Sequence, residues 1–248
     1  MRNLIVSDIL RILKKKTYWI ILGVVLAGSL ITLITAIRSH SSSFVVMTTQ
    51  ASFIRATGSI ILGVCIFLSV YADEFSSRSM QCIIGRGLSR SKLQMAKLLD
   101  CVLLTLNSYC LWALWVFIIN LIFRTNMQPL EMTALYAAFF TSAIQAIGYA
   151  TISAIFLYKS SNVAAATVVD ILFYVVFYTF LNLTATNAPL APIIAIDRGC
   201  FTGRINQIYT SIVLGQPVGG LLLGTLIVFV GGALVISMLV FRKRELEF

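Results

Sequence analysis

Charge is what this sequence has least of: only 11% of its 248 residues are Asp, Glu, Lys or Arg, where a soluble domain carries about 25%. A water-facing surface cannot be built from so few charges, so an ordinary soluble enzyme or binding module is excluded. Histidine is nearly missing. His40 is the sole example, which rules out a Ser-His dyad inside the apolar segments and a His-rich zinc site. No pair of carboxylates converges within an apolar segment. Cys65, Cys82, Cys101, Cys110 and Cys200 keep no metal-ligand spacing, and their odd number and mostly apolar settings argue against a disulfide framework. A G-x-x-x-x-G-K-[ST] phosphate loop is also lacking; the nearest glycine cluster, GRGLSRSK beginning at Gly85, has no backbone cradle followed by Lys and a magnesium-binding hydroxyl. The chain cannot hydrolyse ATP alone, and no metal or cofactor is expected in it.

Apolar residues are what the sequence has in abundance: 59% are hydrophobic and the mean hydropathy is +0.94. Uninterrupted apolar runs fall at 18–37, 57–71, 98–123, 134–157, 163–183 and 218–241, close to the roughly 20 residues that cross a bilayer as a helix. The second run is short, so its helix is predicted to begin upstream near Phe53, with Arg55 snorkelling to the interface. The fold class predicted is an all-α polytopic membrane protein of six transmembrane helices, one unit over 1–248.

The net charge of +10 is distributed between apolar runs rather than along one face, so it reads as topogenic and not as a nucleic-acid footprint. One side collects Arg2, Arg11, Lys14, Lys15, Lys16, the basic residues from Arg78 to Lys97, Lys159 and the cluster Arg242 to Arg244. The other holds Arg38, Arg55, Arg124, Arg198 and Arg204. Both termini are therefore expected in the cytoplasm, in a multi-pass protein of a bacterial plasma membrane. Residues 1–17 project at 100° per residue into an apolar face of Val6, Leu10 and Leu13 with Ile5, Ile9 and Ile12, and a polar face that includes Ser7, Asp8, Arg11 and Lys14. That split predicts an interfacial helix lying on the inner leaflet.

Three further features concern function. Asp170 lies about eight residues into the fifth run, and a carboxylate there must face protein or water. Tyr174 and Tyr178 follow at i+4 and i+8, forming a candidate translocation path for amphipathic or cationic cargo. A buried structural hydrogen bond to Asn107, Ser108 or Gln145 remains the other reading. Asp100, three residues from Lys97, reads as a locally paired surface residue. Gly220 and Gly224 form a G-x-x-x-G that reads first as packing within the chain. Residues 184–217 are too apolar for a solvated loop. They are expected to re-enter the membrane's outer half, with 197–204 as a water-exposed tip while Ile193 and Ile208 are protected.

From Asp73 the sequence runs DEFSSRSMQCIIGRGLSRSKLQMAKLLD: a short amphipathic helix, a glycine-marked turn at 85–87, and a basic helix entering the third span. A Glu ending span two, a small polar residue five on, a turn, Ser-Arg, then Lys resembles the permease subunits of ABC-2 type ATP-binding-cassette exporters. The positions here are Glu74, Ser79, the turn, Ser89 with Arg90, and Lys97. An amphipathic lead-in helix, six spans, and a re-entrant connection between spans five and six extend the resemblance over the chain. It departs from the commonest form, which has a Gly-Thr pair where this chain has Arg78 and Ser79.

The resemblance implies that the 73–97 loop couples to an ATPase subunit through Glu74, Phe75, Arg78, Ser79, Ile83, Arg86, Ser89, Arg90 and Lys97. It also implies that ATP and magnesium sit on two copies of that partner, and that a second permease subunit, identical or homologous, completes the path. The function implied is export of a hydrophobic or amphipathic substrate such as an antimicrobial peptide, a drug or a lipid, including self-protection against a bacteriocin. An ATP-independent carrier or channel, and a non-transporting scaffold that recruits a cytoplasmic partner, are the competing classes.

Overall fold

The computed structural model describes residues 2–39, 42–76, 84–85, 87, 89–160, 162–186 and 200–243. Among them every regular element is helical. Helix α1 spans Arg2–Leu13 and α2 Lys16–Arg38. Helix α3, Ser43–Thr57, continues through a π-helical turn, Gly58–Gly63, into α4, Val64–Ser76. Then come α5 (Arg90–Ile122), α6 (Pro129–Ser160), α7 (Val163–Thr186), the short α8 (Phe201–Val213) and α9 (Gly220–Lys243).

Five stretches among the described residues are long and apolar enough to cross a membrane: Lys16–Arg38, Ser43–Ala72, Arg90–Ile122, Pro129–Ser160 and Leu223–Phe241. They coincide with five of the six apolar runs and fit a multi-pass membrane protein. The sixth run lies on α7, whose stretch Val163–Val176 is apolar but shorter within the described residues.

Helix α6 holds the bundle together, packing on α3, α5, α7, α8 and α9. Its buried residues include Ala134, Ala137, Ala138, Ser142, Ala146, Gly148, Ser153 and Ala154. Small side chains let neighbouring backbones approach where no hydrophobic force separates protein from lipid. Accordingly 61% of its most apolar window is buried, against 17% for α9. Local signals fix its start: Pro129 opens the first turn, and the Glu131 carboxylate accepts from the Gln128 amide at 2.8 Å. Helix α7 starts on Asn162, whose Oδ1 accepts from the amides of Ala164 and Ala165.

The second span begins ten residues earlier than the sequence predicts, at Ser43 rather than near Phe53. Thr48, Thr49 and Gln50 do not end the helix, because each finds an acceptor or donor in its own helix or a neighbouring one. Thr48 and Thr49 donate to the Val45 carbonyl, and Gln50 accepts from Asn120 of α5 at 3.0 Å. A Cβ on Gly58, where the π-turn starts, would lie 2.6 Å from the Tyr109 hydroxyl, so the close helix contact there requires glycine.

Two helices end in the same hydrogen-bonded turn with different residues at its left-handed position. In α8, Gly215 bonds to Ile212 and Gln216 to Ser211, with Gly215 at φ 66°. In α5, Arg124 bonds to Leu121 and Thr125 to Asn120, with Arg124 at φ 47°. Both are Schellman turns, and a non-glycine residue in that conformation costs about 1–2 kcal/mol.

Candidate functional site

Helix α8 packs on α6 and α9, and one group of interior polar side chains collects around it. Its first residue, Phe201, stacks on Phe229 of α9 with centroids 4.5 Å apart. It meets the Tyr149 ring at 6.0 Å. Its ring occupies the space a Cβ would need at Gly148, so a glycine midway along α6 forms the socket. Next to it Thr202 shares a 2.5 Å hydrogen bond with the Tyr149 hydroxyl, which also accepts from Gln145.

One turn along α8, Arg55 of α3 donates to Asn206 Oδ1 at 2.7 Å and lies 4.4 Å over the Tyr209 ring. Helix α8 thus packs on α6 and α9 and is tied to α3 through the Arg55 side chain. Arg55, predicted to snorkel to the interface, is engaged by α8. A hydrogen bond and a cation–π contact supplied by α8 hold it against the bundle.

Asp170 and Tyr174 sit one turn apart on α7, and both are buried. The Tyr174 hydroxyl donates to the carbonyls of Arg55 and Ala56, each at 2.8 Å. Those carbonyls directly precede the π-turn, where the regular α-helical ladder is interrupted and an outside donor can bond to the backbone. Tyr174 also meets Tyr149 edge to face at 6.3 Å. Asp170 is set against the Ser153 hydroxyl of α6. Asn107 and Ser108 instead bond to Tyr18 of α2. A carboxylate, four hydroxyls, two side-chain amides and a guanidinium form one polar seam along α8 and its neighbours.

A second polar cluster lies where α1 meets α5. Lys97 is fully buried, and its Nζ donates to Asp8 Oδ2 at 2.5 Å and lies 3.8 Å from Asp100. Arg11 approaches Asp8 at 3.6 Å. Asp100 is therefore paired as predicted but interior, because α1 folds over the start of α5 and covers it. Asp8 likewise leaves the polar face assigned to it. The apolar arc of α1 divides, Ile12 packing inward while Val6 and Leu10 stay exposed. Nearby, Gln94 donates to Ser237, Arg90 reaches the Phe241 carbonyl at 3.5 Å, and Phe75, Tyr71, Tyr158 and Phe241 stack edge and face.

Of the residues assigned to ATPase coupling, Lys97 is turned inward to Asp8, Phe75 packs against Tyr158, and Arg90 is half-buried. Ser89 is exposed just before α5. Gly87 adopts φ 92° with its amide on the Ile84 carbonyl at 2.9 Å, a turn at the predicted place. Arg78, Ser79, Ile83 and Arg86 lie outside the described residues, as do the side chains of Glu74 and Tyr178.

Two other expectations change. Phe201, Thr202 and Gly203 are buried rather than part of a water-exposed tip, because Gly148 admits the Phe201 ring; Asp197 and Ile193 lie outside the described residues. A Cβ at Gly220, Gly224, Gly231 or Gly232 would meet nothing. Helix α9 turns Leu226, Ala233, Ser237 and Phe241 inward instead, leaving its glycines on an open face.

Sequence reasoning missed the α8 clasp. Its one visible signal was an arginine inside an apolar run; which amide and ring it would meet, 151 residues away in the case of Asn206, cannot be read from spacing. No family model matches the chain, and a search of curated proteins finds no match.

Proposed function

We propose that this chain is the membrane-spanning permease subunit of an ATP-driven exporter of the ABC-2 type. The observation that carries the reading is α8, a 13-residue helix between the last two apolar helices that stops at Gly148, halfway along α6. Within a bilayer, backbone that ends at such depth survives only when packed on protein or lining a wet cavity. A re-entrant segment over 184–217, with α7 as a fifth span and α9 as a sixth, accounts for it. The lead-in helix α1, the interrupted stretch between α4 and α5 with its turn at Gly87, and α8 follow one another in the order the family resemblance implies.

In this reading both termini face the cytoplasm of a bacterial cell, and the stretch from Glu74 to Lys97 docks on a separate ATPase subunit that binds ATP and magnesium. A second permease half completes the path, and the open glycine face of α9 is available to it. The substrate is hydrophobic or amphipathic, an antimicrobial peptide, drug or lipid. In this reading the polar seam of Asp170, Tyr174 and Arg55, the first two buried within the single chain, borders the path that leads to α8.

Affinity purification of the full chain from its native membrane tests the assignment. A stoichiometric nucleotide-binding subunit whose ATP hydrolysis rises with added substrate is expected. Purification of the chain without such a subunit, still competent to move substrate, would refute it.

A further inference from the structure

Two recesses between α5 and α6 share Phe117 and form one trough. One, about 350 Å³, is a shallow recess lined by Cys110, Ala113, Leu114 and Tyr136. The other, about 260 Å³, continues past Leu121 and Met132 to Arg124, Thr125 and Asn126 at the helix end. Cys110 to Arg124 covers about 21 Å at 1.5 Å per residue, roughly one leaflet with its headgroup layer. Leu114, Phe117 and Leu121 are exposed along it, so the trough opens sideways from two membrane-crossing helices. Its Cys110 end is apolar and its mouth is cationic.

The mouth is built around an unusual choice of residue. Arg124 holds the left-handed position of a Schellman turn that the same chain gives to Gly215 at the end of α8. Asn126 beside it is left-handed too, at φ 47°. No ion pair among the described residues involves Arg124, and Glu131 in the next turn points to Ser43 and the Gln128 amide. An arginine held in an unfavourable backbone conformation, with its charge at the open end of an apolar trough, matches a phosphate head and an acyl tail.

We propose that this trough binds one acidic phospholipid, its phosphate on Arg124 with Thr125 and Asn126 and an acyl chain laid over Phe117 toward Cys110. The site rests on α5 and α6 crossing the membrane and not on the transport reading, so either can fail without the other.

The test uses the full-length protein in nanodiscs of equal phosphatidylglycerol and phosphatidylcholine. After dilution into detergent, retained lipid is counted by native mass spectrometry. The wild type is expected to keep one phosphatidylglycerol, preferred about fivefold over phosphatidylcholine, the effect of one basic residue near a headgroup. Arg124→Gly, which suits the backbone better, should stay folded and lose the preference, while Arg124→Lys should keep it. Ala113→Trp should fill the trough and lose both lipids.

An unchanged preference in Arg124→Gly, or retention in Ala113→Trp, would overturn the proposal. So would displacement of the lipid by inorganic phosphate alone, which would indicate a headgroup site without a tail. Efficient disulfide crosslinking of Leu114→Cys between two copies in membranes would overturn it as well, since a second copy would then cover the trough.

Discussion

Removing the Lys97 ammonium isolates one of the two polar clusters. Lys97 has no exposed side-chain area, Asp8 only 10% and Asp100 none, so Lys97→Ala takes from two buried carboxylates the ammonium they share. Breaking a buried pair from one side costs about 3–5 kcal/mol. Arg11 cannot compensate. At 3.6 Å from Asp8 and 39% exposed, it is a screened surface pair worth at most about 1 kcal/mol.

At about 2–4 °C per kcal/mol for a chain of this size, the variant should unfold about 6–20 °C below wild type in detergent. Because the pair ties α1 to α5, the loss should appear there first. Ile12, fully buried on the inward side of α1, should become reactive to a membrane-impermeant maleimide when changed to cysteine in a cysteine-free background carrying Lys97→Ala. Replacing all three charged groups, Asp8→Leu and Asp100→Leu with Lys97→Met, should be close to neutral, because none of the three charges stays behind without the others. A Lys97→Ala protein as stable as wild type, with the thiol introduced by Ile12→Cys still protected, would refute the buried-pair account of how α1 is held.

Three other outcomes follow from the α8 site and from the role proposed for residues 73–97. Gly148→Ala should cost about 1–3 kcal/mol by driving a methyl into the Phe201 ring, and Phe201→Leu should recover part of that; strictly additive melting temperatures would show that the two do not touch. Tyr174→Phe should lower stability by about 1 kcal/mol through loss of its bond to the carbonyls before the π-turn, whereas Asp170→Asn should leave assembly and basal ATP hydrolysis normal yet weaken stimulation by cationic substrates, full stimulation excluding a charge-dependent role. Charge reversal at Arg78 with Glu74→Ala should abolish association with the ATPase subunit or uncouple hydrolysis from transport, and normal transport in that variant would remove the loop from coupling.

Where the sequence could be read, it was read through periodicity and burial of apolar area, which act locally. Helices α2, α5, α6, α7 and α9 fall within a few residues to about eight of the apolar runs because a span needs little beyond length and hydropathy. The start of α3 was missed because Thr48, Thr49 and Gln50 lie ahead of the apolar run by which the span was recognised; Thr48 and Thr49 bond to their own helix and Gln50 bonds to a neighbour, and neither changes hydropathy. Pairings across the bundle were not legible at all. Asp8 with Lys97, Arg55 with Asn206, and Tyr174 with the Arg55 carbonyl are set by which helices lie side by side, and a single sequence carries no record of that. The glycines of α9 show the same limit: G-x-x-x-G permits close packing but does not say on which side of the helix a partner lies.

The central claim is that this chain moves a substrate only when a separate subunit hydrolyses ATP. The most direct measurement reconstitutes the chain, with and without its co-purifying ATPase, into vesicles and follows a fluorescent amphipathic peptide after ATP is added. The account predicts accumulation that needs both subunits and ATP, stops when the ATPase is catalytically disabled, and falls in Asp170→Ala at normal protein abundance. Equal accumulation by the chain alone, driven by an ion gradient and indifferent to ATP, would contradict it.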